Sequence, residues 1–133
     1  MRYLSVADLL LIHQALIETF GGMAGITEAG FARLEAAAAT PRQSAFGMEL
    51  YPELADKAGA LTHAIIHGHP FSDGNKRVAV AALDLILRLN GACLTADNDA
   101  LYTLAMRAAN QMSRADLIAW VGAHMDLREV SDG

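Results

Sequence analysis

Apolar positions along this chain recur with helical rather than alternating spacing, and caps and breakers divide the pattern into six segments. Ser5-Val6-Ala7-Asp8 has the spacing of a capping box, so a helix is expected from about Val6 to Thr19, closed by Gly21-Gly22. Thr27 caps a second helix through Phe31, Leu34 and the alanines at 36 to 39, and Thr40-Pro41 stops it. Residues 42 to 51 lose the period between two prolines and read as an extended flap or short hairpin. Pro52 suits the first turn of a third helix, which carries Leu54, Ala58, Leu61 and Ile65 on one face and runs to Gly68.

From Asn75 to Leu89 the pattern is apolar on nearly all sides, which marks a central helix, with Asp84 and Arg88 as a favourably ordered surface pair. Asn90-Gly91 ends it. A fifth helix is expected to start near Asp97, Asn98 or Asp99 and to carry Leu101, Leu104, Ala105 and Ala108. Ser113-Arg114-Ala115-Asp116 repeats the capping-box spacing and opens a sixth, with Leu117, Trp120, Val121 and Met125 as its buried stripe. The tail from about Arg128 is expected to fray. The expectation is an all-α protein, one domain over residues 1–133, with six helices around a central apolar one and a short extended flap.

Composition narrows the function. The chain is 133 residues long, 53% apolar and rich in alanine, which favours closely packed helices around one core. Its net charge is −5, and no basic cluster exceeds Lys76-Arg77, so direct nucleic-acid binding is disfavoured. The longest strictly apolar run, Val78 to Leu83, is too short to cross a bilayer. The single cysteine, Cys93, reads as half-buried and fits a reducing cytoplasm, the expected location.

The chemistry concentrates between the third and fourth helices, at His69-Pro70-Phe71-Ser72-Asp73-Gly74-Asn75-Lys76-Arg77. A neutral imidazole at His69 can accept a proton from a hydroxyl. Pro70 biases His69 toward an extended backbone, and Phe71 should anchor the loop in the core. Asp73 offers a hard oxygen ligand. A turn of Gly74 and Asn75 that opens a helix leaves backbone N–H groups facing outward as an anion cradle, with the Asn75 side chain, Lys76 and the planar fork of Arg77 beside it.

This segment resembles the signature of the Fic superfamily, His-Pro-Phe-x-(Asp/Glu)-Gly-Asn-Gly-Arg-x-x-Arg, at His69, Pro70, Phe71, Asp73, Gly74, Asn75 and Arg77. Lys76 in place of the second glycine and Val80 in place of the last arginine are similar to the death-on-curing (Doc) branch, as are the Phe46-Gly47 flap and the Leu50-Tyr51-Pro52 entry to the third helix. The resemblance implies a compact helical toxin that uses ATP and Mg²⁺, with Asp73 holding the metal. Lys76 crowds the place of the β- and γ-phosphates in AMP-transferring relatives. The nucleotide would then bind reversed and pass its γ-phosphate to a Ser or Thr of a translation protein, elongation factor Tu in the family.

Ser44, Ala45 and Phe46 of the flap are extended enough to pair with a target segment as an added strand. No Ser or Thr here has Glu four residues on, the core of the family's inhibitory helix, so restraint is expected from a separate Phd-like antitoxin. The alternatives are AMP transfer to a protein hydroxyl, a catalytically idle antitoxin-binding module, and a metal site from His63, His67 and His69. For His63 and His67 structural or supporting roles are favoured, and His13 and His124 read as unremarkable helix residues.

Overall fold

The computed structural model describes residues 1–128. Six α-helices dominate it: α1 (Val6–Phe20), α2 (Glu28–Ala39), α3 (Leu54–Gly68), α4 (Asn75–Leu89), α5 (Asn98–Asn110) and α6 (Arg114–Ala123). The caps expected at Ser5 and Ser113 form, each as a reciprocal pair. The Ser5 and Ser113 hydroxyls accept from the Asp8 and Asp116 amides at 3.1 Å, while those carboxylates accept from the two serine amides. Thr27 and Asp97 cap α2 and α5 in the simpler way.

Two local expectations differ. Pro52 lies outside α3 rather than in its first turn, because the Glu53 amide donates to the Asp56 carboxylate and sets the helix start at Leu54. Met125 does not ride on α6. It begins β4 (Met125–Leu127), which pairs antiparallel with β3 (Ala92–Leu94) in the register Ala92↔Leu127 and Leu94↔Met125. That ladder joins segments some thirty positions apart, so no local period announces it. The Arg128 amide donates to Gly91 O at 2.7 Å, and the rest of the tail lies outside the described residues.

The flap is a hairpin of β1 (Ser44–Ala45) and β2 (Met48–Glu49), turned at Phe46 and Gly47 with φ of 53° and 76°. Positive φ at both central residues matches the twist of antiparallel strands, at some strain for phenylalanine. The Phe46 side chain is fully exposed. Below the hairpin, Lys57 of α3 is buried and donates to Glu49 Oε1 at 2.9 Å and to Pro41 O at 3.2 Å. Burial works against the Lys57 charge, but the Glu49 carboxylate and Tyr3 outweigh it and hold the ammonium above the usual lysine range.

α3 is the structural axis, packing against α2, α4, α5 and α6. At Gly59 the α6 backbone comes so close that a Cβ would lie 2.7 Å from Ile118 Cα. Leu61, Ile65 and Ile66 of α3 interleave with Val78, Leu83, Ile86 and Leu87 of α4 in one core that also takes in Leu9, Leu34, Leu104 and Leu117. Each of these side chains contributes about 1.5–3 kcal/mol through removal from water. As expected of a central helix, α4 exposes none of its apolar residues fully, while Arg88 and Asp84 pair on its outer side at 3.0 Å. Because α3 and α4 are mutually buried, the loop that joins them has both ends on a rigid base.

Candidate active site

α3 closes at His69, whose amide still donates to Ile65 O at 3.2 Å while its backbone turns left-handed, φ 45° and ψ 56°. This differs from the extended backbone expected before Pro70. The proline disfavours only the right-handed helical region, and a left-handed residue at the helix end reverses the chain at once. The His69 side chain is exposed and its ring nitrogens have no hydrogen-bond partner among the described residues. Pro70 and Phe71 turn inward, Phe71 being almost wholly buried, and Ser72 and Asp73 return to the surface.

Gly74, at φ 83°, then opens α4 without any side-chain cap. A residue with a Cβ is strained there, and glycine is not. The backbone amides of Asn75, Lys76 and Arg77 therefore have no partner among the described residues. Three such donors at the positive end of a helix are the kind of group that can accept an anion. The Lys76 side chain is half-buried next to them, and the Arg77 guanidinium lies over the Phe20 ring at 4.6 Å.

The Asn75 side chain faces the loop. Its Oδ1 accepts from the Phe71 amide and its Nδ2 donates to Phe71 O, both at 2.9 Å. The amide group thus ties the loop into a closed ring, leaving the backbone donors as the outward-facing part of this turn.

Five residues between positions 23 and 33 brace the loop. Met23 donates its amide to Asp73 Oδ2 at 3.0 Å, Gly25 O accepts from the Ser72 amide at 3.2 Å, and Ile26 forms a bridge with Phe71. Gly30 lies so close to Pro70 that a Cβ would meet its carbonyl oxygen at 2.1 Å. Arg33 donates from Nε to Gly68 O at 2.7 Å and from Nη2 to His69 O at 3.3 Å. None of these residues stands out in the sequence.

His13 is the other residue that sequence reasoning passed over. It is buried to 6% exposure, its ring stacks on Phe71 with centroids 3.9 Å apart, and Nε2–H donates to Asp73 O at 2.9 Å. Its signal was a polar ring at a buried position of α1, four residues after Leu9. The Asp73 carboxyl is held below the usual carboxylate range by the Met23 and Gly74 amides, helped by Arg77 and His13 and opposed by slight desolvation. It is ionised at neutral pH, and each oxygen accepts a single backbone hydrogen bond.

Asp73, Gly74 and Arg77 line a cleft of about 130 Å³ with His13, Ile17, Phe20 and Gly22. A neighbouring, more apolar hollow of about 500 Å³ runs between α1 and the α1–α2 connection past Leu10, Ile17, Ile26 and Phe71. His63 and His67 stack on each other at 4.1 Å, and His67 Nε2–H donates to Ala108 O. Burial, then His67 and Arg114, keep the His63 imidazole below its usual range. No cluster of three metal-ligating side chains occurs among the described residues, and none of their helices is long and apolar enough to cross a membrane. A lone ionised carboxylate still suits Mg²⁺, which is commonly held by one or two carboxylates together with substrate phosphates. The flap residues Ser44, Ala45 and Phe46 belong to the separate hairpin before α3.

The fold and this site define a helical domain in which an exposed imidazole, an ionised carboxylate and an uncapped helix start fall within one short loop. Residues 3–87, which include the whole loop, match the model of the Fic/DOC family. The chain belongs to that family. It is 42% identical over 80 residues to Toxin Doc of Mycolicibacterium smegmatis, a match spanning 60% of each chain. It is 34% identical over 91 residues to Protein kinase doc of Escherichia phage P1, covering 68% of this chain and 70% of that protein.

Proposed function

We propose that this chain is a protein kinase acting as the toxin of a toxin–antitoxin pair, transferring the γ-phosphate of ATP to a Ser or Thr hydroxyl of a translation protein. Elongation factor Tu is the target implied by resemblance to the Doc branch. The observation that carries the reading is the uncapped start of α4, where three amides beside Lys76 and Arg77 and the His69 ring have no partner among the described residues. Phosphoryl transfer needs positioned donors for developing charge and a base for the incoming hydroxyl, and little else.

In this scheme His69 takes the proton of the target hydroxyl as its oxygen bonds to the γ-phosphorus. The bond from that phosphorus to the β–γ bridging oxygen breaks, and ADP leaves with its electron pair. Gly74 orients the α4 amides toward the phosphate oxygens, and Arg77 adds a charged fork. Asp73 would hold Mg²⁺, which screens the charge of the phosphates when bound. Lys76, half-buried at the helix start, favours a kinase over AMP transfer because it fills the space that the wider family leaves open with glycine.

Ser44, Ala45 and Phe46 would receive the target, supported by a hairpin whose base is pinned and whose Phe46 is fully exposed. A Phd-like antitoxin would supply restraint. The apolar hollow beside α1, with Phe20 and Met23 exposed nearby, supports such a partner.

The test is to incubate the chain with cell extract and ATP labelled in the α- or the γ-phosphate. Label moving from γ alone, and lost in His69→Ala, is the expected result. Label moving from α makes the chain an AMP transferase. Movement from neither, with antitoxin binding retained, makes it a binding module.

A further inference from the structure

His69 holds a left-handed backbone that a residue with a Cβ adopts only when its surroundings impose it. Its amide is held by Ile65 O within α3. On the carbonyl side the constraint comes from another element: Arg33 of α2 donates to the last helical carbonyl, Gly68 O, and to His69 O itself. One planar fork thus spans the two carbonyls that flank the His69 Cα. One turn earlier on α2, Gly30 brings the helix against Pro70 O, so the fork is delivered at fixed distance. Asp73 and the α4 amides are held by other groups, the Met23 amide and the Asn75 ring closure.

The geometry points to Arg33 as the positioning residue for His69: its guanidinium locks the left-handed turn at the end of α3 and so aims the imidazole, without contributing to nucleotide binding. This rests on the proposed role of His69 as base. The division of labour is physical. A planar fork can hold two carbonyls at once, where an ammonium is a single charge on a flexible stem. Losing the fork frees the His69 peptide to swing while the phosphate-binding turn, fixed independently, stays as it is. Arg33 is exposed, so its removal leaves no buried charge and no core cavity.

The test compares wild type, Arg33→Met and Arg33→Lys. Label transfer from γ-labelled ATP to the extract protein that wild type modifies is followed at varied ATP, and hydrogen exchange is measured at the His69 amide. Arg33→Met should lower kcat on the order of 30-fold, the scale of a misplaced reacting group, with KM for ATP within about twofold of wild type. Arg33→Lys should fall between the two. Exchange at His69 should quicken roughly tenfold in Arg33→Met, while core amides such as Leu61 and Leu83 exchange as before.

Wild-type kcat in Arg33→Met, a raised KM with kcat unchanged, or unaltered exchange at His69 overturns the assignment. If Arg33→Met does not fold, Arg33→Lys decides, and wild-type kcat there overturns it equally. If wild type itself transfers no label, the proposed function fails, and exchange at His69 alone then decides the role of Arg33: quickened exchange supports it and unchanged exchange overturns it.

Discussion

Gly30→Ala should damage activity far more than stability. A Cβ at this position would stand 2.1 Å from Pro70 O and 3.1 Å from Thr27 Oγ1. An ordinary carbon–oxygen contact is about 3.3 Å, so α2 or the loop must give way by roughly 1.2 Å. α2 is anchored by the fully buried Leu34 and its helical hydrogen bonds, whereas Pro70 lies outside any helix, so the shift is expected to fall on the loop backbone despite its braces. Overpacking of this size costs about 1–3 kcal/mol, offset by up to about 1 kcal/mol from replacing glycine in a helix. The net loss is about 1 kcal/mol, or a fall in Tm of about 4 °C. Displacing the His69–Asp73 backbone by about an ångström, however, should lower transfer on the order of 100-fold. Denaturant unfolding gives the first quantity and γ-label transfer the second. A variant that is fully active and about 1 kcal/mol more stable, the behaviour of an unconstrained helical glycine, would refute the claim that α2 templates the loop.

Two further substitutions separate roles within the loop. Asn75→Ala leaves the part-buried Phe71 N–H and C=O without partners and should cost about 2 kcal/mol in denaturant unfolding. Undiminished stability with weakened ATP binding would instead make this amide a phosphate ligand. The Asp73 carboxyl titrates below its unfolded value of 3.8, so its charged form stabilises the fold above that pH, and the contribution is lost as pH falls through the lower folded value. Asp73→Asn should therefore be less stable than wild type at neutral pH, with the gap closing below about pH 3.8. A gap that persists in acid would mean that the Met23 and Gly74 contacts do not depend on the charge.

How far the site could be read from the chain depended on sequence distance. His69, Asp73, Gly74, Lys76 and Arg77 sit in nine consecutive positions, and a turn that opens a helix dictates which backbone groups face outward, so their grouping was legible. The direction of the Asn75 side chain was not. An amide at a helix start can face a ligand or close on the backbone behind it, and only the placement of Phe71 in the core selects the second. His69 shows the same limit, since Pro70 excludes one backbone region and the packing of α2 chooses among the rest.

The capping boxes at Ser5 and Ser113 and the all-round apolarity of the α4 segment determined six helices and a loop between two buried ones, because those signals act within a turn or two of chain. Tertiary structure alone decided that Met23 to Arg33 lie along that loop, that His13 reaches Asp73, and that residues 92–94 find a strand partner at 125–127. These contacts join positions roughly thirty to sixty apart in sequence. Their geometry follows from how closely helices approach, as at Gly30, and no local pattern of side chains encodes that distance.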